Sequence, residues 1–242
     1  AVAKNISTQV QLFSNNFNTS LYPPIIMSYA NKDKENMFSL IFNGSKITFF
    51  LMWIFTLPFY LEIEFILTLW LKEVPPYTIL FTRLALIEVL INSVSLPITT
   101  AARAPGKMKS YELKLGSIQI AIFLFSWLAL YLGSEAYIVF VIAIIANVIM
   151  FFVRLVLVGK LIELSLSAFS HKVILPVFGI MLFTGIPMFG LKYLLPKGLI
   201  ISLLLVFFCF IFIAISIYYL GLDKIWRHKV RGLVLEKIFR KK

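Results

Sequence analysis

The chain reads as long apolar runs separated by short charged links, with one departure at its start. Apolar side chains dominate residues 37–71, 77–101, 108–132, 135–159, 172–194 and 197–220. A hydrocarbon core of about 30 Å takes roughly 20 helical residues per crossing. Each run is long enough, and 37–71 is long enough to tilt or protrude. Pro58, placed inside that second run, predicts a kink; Pro97, Pro176 and Pro187 also fall inside runs. The departure is 1–24, which Pro23 and Pro24 are expected to end, leaving a short tail to Ala30. At about 100° per residue, Ile6, Val10, Phe13, Phe17 and Leu21 share one face. Lys4, Thr8, Gln11, Asn15, Asn18 and Tyr22 share the opposite face, and Asn5, Gln9, Asn16, Thr19 and Ser20 fill the flanks. The pattern predicts about seven spans, the first of them polar on one side.

Such a helix belongs on a soluble domain or, inside a membrane bundle, beside a water-filled cavity. Composition favours the second. The chain is 60% hydrophobic and 14% charged, against about 45–50% and about 25% for a soluble domain. Its mean hydropathy is +0.93. The expected fold is all-α: a polytopic transmembrane bundle over residues 1–221 and a basic tail over 222–242, in one domain.

Charge then orients the bundle. Lys32 and Lys34 occupy the first link, Arg103, Lys107, Lys109 and Lys114 flank the third, and Arg154, Lys160 and Lys172 border the fifth. The tail adds Lys224, Arg227, Lys229, Arg231, Lys237, Arg240, Lys241 and Lys242. The alternate links carry Lys72, no cation near Gly133-Ser134-Glu135, and Lys192 with Lys197. That alternation predicts a cytoplasmic C-terminus and an outside N-terminus. It also accounts for the net charge of +12 without a nucleic-acid partner. The tail, with Trp226, Val230, Leu233 and Phe239 among its cations, is either an interfacial helix on anionic lipid or a solvated segment. Cys209 is alone, so no intrachain disulfide forms, and His171 and His228 sit apart; no metal or other cofactor is expected.

Charges inside spans cost about 2.5–3.5 kcal/mol near the bilayer centre, so each needs a reason. Lys4 shares its face with Thr8, Gln11, Asn15 and Asn18. A cation followed by neutral donors and acceptors suits a phosphate joined to sugars. Arg83 either pairs with Glu62 or Glu64 across the outer link or faces an anionic substrate. Lys46 either snorkels to the inner interface or lines the cavity. Glu88 has no partner at i±4, which makes it a candidate for a coupling ion or proton unless another helix supplies a partner. No His-Glu-x-x-His, Gly-x-Ser-x-Gly or phosphate-binding loop occurs, and Glu62 and Glu64 point to different sides of a helix. The chain is therefore not expected to be an enzyme.

Several stretches carry a family resemblance. Ala3-Lys4-Asn5-Ile6-Ser7-Thr8-Gln9-Val10 is similar to an Ala-Arg-Gly-Ile-Ala-x-Gln-Val stretch, with Lys4 in place of Arg. Asn16-Phe17, Pro23-Pro24-Ile25-Ile26 and Ser28-Tyr29-Ala30 follow, the last two similar to a Pro-x-Ile-x-x-Ser-Tyr-Ala ending. Phe65-Ile66-Leu67-Thr68-Leu69-Trp70-Leu71 with Val74-Pro75 resembles Phe-Ile-Leu-x-Leu-Trp-Leu-x-x-Val-Pro. Ala104-Pro105-Gly106-Lys107-Met108-Lys109 resembles Ala-Thr-Gly-Lys-Ile-Lys, departing at Pro105. As an ordered set over about residues 1–160 they resemble the Wzx-type polysaccharide exporters of the MOP flippase superfamily, which also holds the MATE drug exporters.

The resemblance implies a two-lobed helical transporter of the bacterial inner membrane. It moves undecaprenyl-diphosphate-linked oligosaccharide, as in O-antigen and lipopolysaccharide biosynthesis, by alternating access. Lys4 matches one cationic cavity position; the Lys-for-Arg change keeps the charge and loses the bidentate fork. Family members are about twice as long, so the chain is expected to supply the second lobe and about one more span. Its start at Ala1 reads as truncated or processed, and its partner is a missing N-terminal lobe or a second copy. The rival readings are a MATE-like multidrug exporter, which wants an acidic cavity, a membrane-embedded sugar or lipid transferase, which wants a catalytic set, and a non-transporting scaffold.

Overall fold

The computed structural model describes residues 2–71, 73–196, 198–223, 226–228 and 231–232. Among them there is no strand, and the protein is an all-α polytopic bundle. The helices are α1 (Val2–Ala30), α2 (Lys34–Leu61), α3 (Ile63–Leu71), α4 (Thr78–Arg103), α5 (Lys109–Tyr131), α6 (Ile138–Ile162), α7 (Leu166–Phe169), α8 (Leu175–Leu194) and α9 (Leu199–Ser216). A π turn, Ser170–Ile174, joins α7 to α8 into one rod, and another, Ile217–Gly221, extends α9. Six of the resulting helices are long and apolar enough to cross a membrane. With α1 they make the seven expected spans of a multi-pass membrane protein.

Three helix boundaries differ from the sequence reading. Pro23 and Pro24 do not end α1, which continues to Ala30. Leu21, Ile25 and Ser28 are buried on either side of the prolines, while Pro23 is exposed. Packing on the inner face holds the helix, and the carbonyls freed by the missing N–H groups lie toward the open side. The run 37–71 is two helices. Pro58 disturbs the ladder, the Glu62 N–H closes on the Pro58 carbonyl at 3.1 Å, and α3 restarts at Ile63. The rod containing α8 begins before Lys172. Pro176 supplies no N–H, and the Leu175 N–H reaches back five residues to the Ser170 carbonyl, which makes the π turn.

The most buried span is α2, which packs against α1, α4, α8 and α9. Gly44 allows the closest approach in this centre. A Cβ there would stand 2.6 Å from Leu21 Cδ1 of α1 and 3.2 Å from Pro97 Cγ of α4. On the α8 side the Trp53 indole N–H donates to Thr184 Oγ1 at 2.9 Å, and the Thr184 hydroxyl donates to the Ile180 carbonyl. That satisfies both groups inside an apolar core. The outer faces of α5, α6, α8 and α9 expose Phe125, Phe152, Phe183, Ile186, Leu204 and Phe207, as lipid-facing surfaces should.

Ion pairs tie the ends. Lys34 pairs with Glu163 and Lys46 with Asp223 toward the basic end, and Lys192 pairs with Glu62 at the opposite end. The Arg227 guanidinium donates to the Tyr219 and Leu222 carbonyls, capping the last turn of the α9 rod. Most of the tail read as an interfacial segment, along with Lys72 and Lys197, lies outside the described residues.

Candidate functional site: the polar face of α1

Ala3, Ile6, Ser7, Val10, Ser14, Leu21, Ile25 and Ser28 form the buried stripe of α1, against α2 and α4. Four of its members, Ala3, Ser7, Ser14 and Ser28, are Ala or Ser. Small side chains let the helix axes approach, and the serine hydroxyls are satisfied by the helix itself: Ser7 donates to the Lys4 carbonyl and Ser14 to the Gln11 carbonyl, both at 2.9 Å. The stripe is rotated from the expected one. Phe13, assigned to the buried face by its period, is 54% exposed and stacks on Phe55 of α2 at 4.8 Å. The small residues win the interface because they permit closer packing than phenylalanine does.

The opposite side of α1 is open. Lys4, Asn5, Thr8, Gln9, Asn15, Asn16, Thr19, Ser20 and Tyr22 are exposed. From Lys4 to Ser20 this surface runs about 24 Å along the axis at about 1.5 Å per residue, most of a hydrocarbon core. Thr19 and Ser20 spend their hydroxyl protons on the carbonyls of Asn15 and Phe17. The side chains of Lys4, Asn5, Thr8, Gln9, Asn15 and Asn16 make no hydrogen bond among the described residues. They are available to a ligand.

Gln11 and Asn18 are half-buried at the α4 edge of that surface. Asn18 Nδ2 lies 3.3 Å from Thr100 Oγ1, and the Thr100 hydroxyl lies 3.4 Å from Asn18 Oδ1. Asn18 is thus partly used as a tie between α1 and α4. The five α1 positions expected to form one site, Lys4, Thr8, Gln11, Asn15 and Asn18, do share one side of one helix. The period of the polar positions alone places them on that side.

The other three expected site residues are elsewhere. Lys46 does not line the open face: it is 4% exposed, and its ammonium donates to both oxygens of Asp223 at 3.0 and 3.1 Å. The carboxylate that neutralises it comes from just beyond the last span, which linear spacing does not reveal. Arg83 pairs with neither Glu62 nor Glu64 and does not face α1. Its guanidinium carbon sits 5.3 Å above the centre of the Tyr60 ring, and Glu62 is taken by Lys192. Glu88 accepts a hydrogen bond from Asn147 Nδ2 of α6 at 3.1 Å, so another helix does supply its partner. Asn147 went unnoticed as a site residue, although an amide in the middle of the most apolar part of α6 is a signal.

Among the described residues no group of His, Cys, Asp and Glu could hold a metal, and α1 contains no acidic residue. What the arrangement offers is one cation and several amides along a membrane-deep polar surface. Compared with known protein families, with curated proteins and with solved structures, the chain matches none.

Proposed function

We propose that the protein translocates a lipid-linked oligosaccharide, with its polyprenyl diphosphate, across a bacterial inner membrane. The single observation that carries this reading is the open polar face of α1 within an otherwise lipid-adapted bundle. Polar groups left in hydrocarbon cost several kcal/mol each, so this face borders water. A second bundle, either a complementary N-terminal lobe or another copy of the chain, encloses that water. Lys4 takes the diphosphate, and Thr8, Gln11 and Asn15 exchange hydrogen bonds with sugar hydroxyls, while the polyprenyl chain stays in the bilayer. Alternating access follows from rocking of the two bundles about the hydrated space. A cation exporter would require a carboxylate on this face, and α1 has none. The excess of cations at the Lys34, Arg103, Lys109 and Lys160 end supports a cytoplasmic C-terminus.

The test is transport of a fluorescent polyprenyl-diphosphate oligosaccharide in proteoliposomes, with the chain alone and with a complementary lobe. Lys4→Ala is expected to lower the initial rate at least tenfold, and Lys4→Arg to retain most of it. Undiminished transport by the alanine variant at equal reconstituted level removes Lys4 from the site.

A further inference from the structure

A second feature, independent of α1, lies on the other side of α4. Residues of α2, α4, α6 and the α8 rod surround a cleft of about 400 Å³ whose walls are almost wholly apolar. It runs along α2 from Tyr60 to Phe49. That stretch of α2 spans about 16 Å, roughly half of a 30 Å hydrocarbon core. That is the reach of a lipid tail from one leaflet.

The end of the cleft beside Tyr60 carries charge. Ile87, Leu90 and Val94 of α4 line the cleft, and Arg83 precedes Ile87 by one turn on the same helical stripe. Its guanidinium covers the Tyr60 ring, which itself lines the cleft, and its Nε is buried with no hydrogen-bond partner among the described residues. The nearby acid is committed elsewhere: Glu62 is 2% exposed and bound by Lys192. Arg83 forms no ion pair among the described residues and keeps its positive charge. Arg83 is five residues into α4, about 8 Å from its start, toward the α3 end of the bundle.

A second polar group lies deeper. Thr56, one turn of α2 inward from Tyr60, lines the cleft and is 1% exposed. In-helix threonines such as Thr48, Thr82 and Thr184 donate to the carbonyl four residues earlier. Thr56 makes no such bond, and its hydroxyl has no partner among the described residues.

We infer that this cleft is a binding site for a membrane glycerophospholipid of the leaflet at the α3 end. Arg83 holds the phosphate, the Thr56 hydroxyl donates to an acyl ester carbonyl about one helical turn below it, and one acyl chain fills the apolar cleft between α4 and the α8 rod. A charge-assisted contact to phosphate is the strong form of hydrogen bond, and it satisfies a guanidinium that has no hydrogen-bond partner among the described residues.

The experiment is native mass spectrometry of the purified full chain, titrated in detergent with phosphatidylglycerol, with diacylglycerol and with a polyprenyl phosphate. Phosphatidylglycerol is expected to bind at one per chain and at least tenfold more tightly than diacylglycerol. Arg83→Gln should remove that tenfold preference and Arg83→Lys should keep most of it. Val94→Trp, which fills the cleft without touching Arg83, should weaken both glycerolipids. Helix content and melting temperature are measured for each variant; if Arg83→Gln misfolds, Val94→Trp decides. Equal binding of diacylglycerol and phosphatidylglycerol, or unchanged binding by Val94→Trp, overturns the site. Tighter binding of the polyprenyl phosphate than of phosphatidylglycerol overturns its assignment to a phospholipid.

Discussion

A lysine inside a span can be a ligand or a strut, and its partner decides which. Lys46 is sealed beneath the bundle surface and held by both oxygens of Asp223. Removing only the acid leaves a buried cation without its counter-charge, whereas removing both charges leaves an apolar gap of modest size. Asp223→Asn is therefore expected to lower stability by about 1–3 kcal/mol. The double variant Lys46→Met/Asp223→Asn should recover most of that loss and most of the transport rate, as read by thermal melting and by the proteoliposome assay. A fully folded double variant that no longer transports would return Lys46 to the substrate path. Lys4 differs in kind: it is exposed on the open face, with no acid in its helix.

Among the elements, α4 and α6 are the pair with the clearest rule. Both run in the same direction, because α5 lies between them in the chain. Phe81 stacks on Phe140 at 5.4 Å, and seven residues on, Glu88 meets Asn147. The offset between partners is 59 residues at Glu88 and is the same at Phe81, so the seam repeats as in a parallel coiled coil. The same offset carried one heptad further would set Ser95, which is buried, against Arg154, which is half-buried with its Nε unpartnered among the described residues. Glu88→Leu would strand the Asn147 amide and loosen the seam. Glu88→Gln can still accept from it. The expected result is near-normal melting for Glu88→Gln and a lower midpoint for Glu88→Leu. If Glu88 also binds a coupling ion, Glu88→Gln loses the ion dependence of transport while keeping its fold. Much of this architecture was legible beforehand. The spans, the polar side of α1 and the intramembrane charges follow from local composition, because hydrocarbon penalises polarity wherever it occurs. The partners were not legible. Asn147 for Glu88, Asp223 for Lys46 and Tyr60 for Arg83 depend on which helices neighbour each other. Phe13 and the Pro23-Pro24 pair were misread because packing of small residues overrides both period and proline propensity.

The molecule as a whole divides into a spine and wings. The spine is the crossing of α1, α2 and α4 at Gly44, and the wings are the α5–α6 pair on one side and the α8–α9 pair on the other. Between the wings lies the apolar cleft, and on the far side of α4 lies the polar surface of α1. The same spine thus presents an apolar cleft on one side and a polar helix face on the other. This arrangement has a consequence for how the protein is made. A translocon partitions each emerging segment by its summed transfer free energy, and α1 carries Asn5, Gln9, Gln11, Asn15, Asn16 and Asn18 along its length, with Lys4 in its first turn. With its amides, α1 is a weak insertion signal; it is not among the six spans recognisable by length and hydropathy. Its place in the membrane is therefore acquired after α2 and α4 are in the bilayer to receive its small-residue stripe. In a glycosylation-mapping assay, residues 1–33 fused to a reporter should insert in only a minor fraction of molecules, and residues 1–107 in most. Efficient insertion of the short fusion would show that α1 enters on its own. The polar helix thus settles after two helices that follow it in the chain.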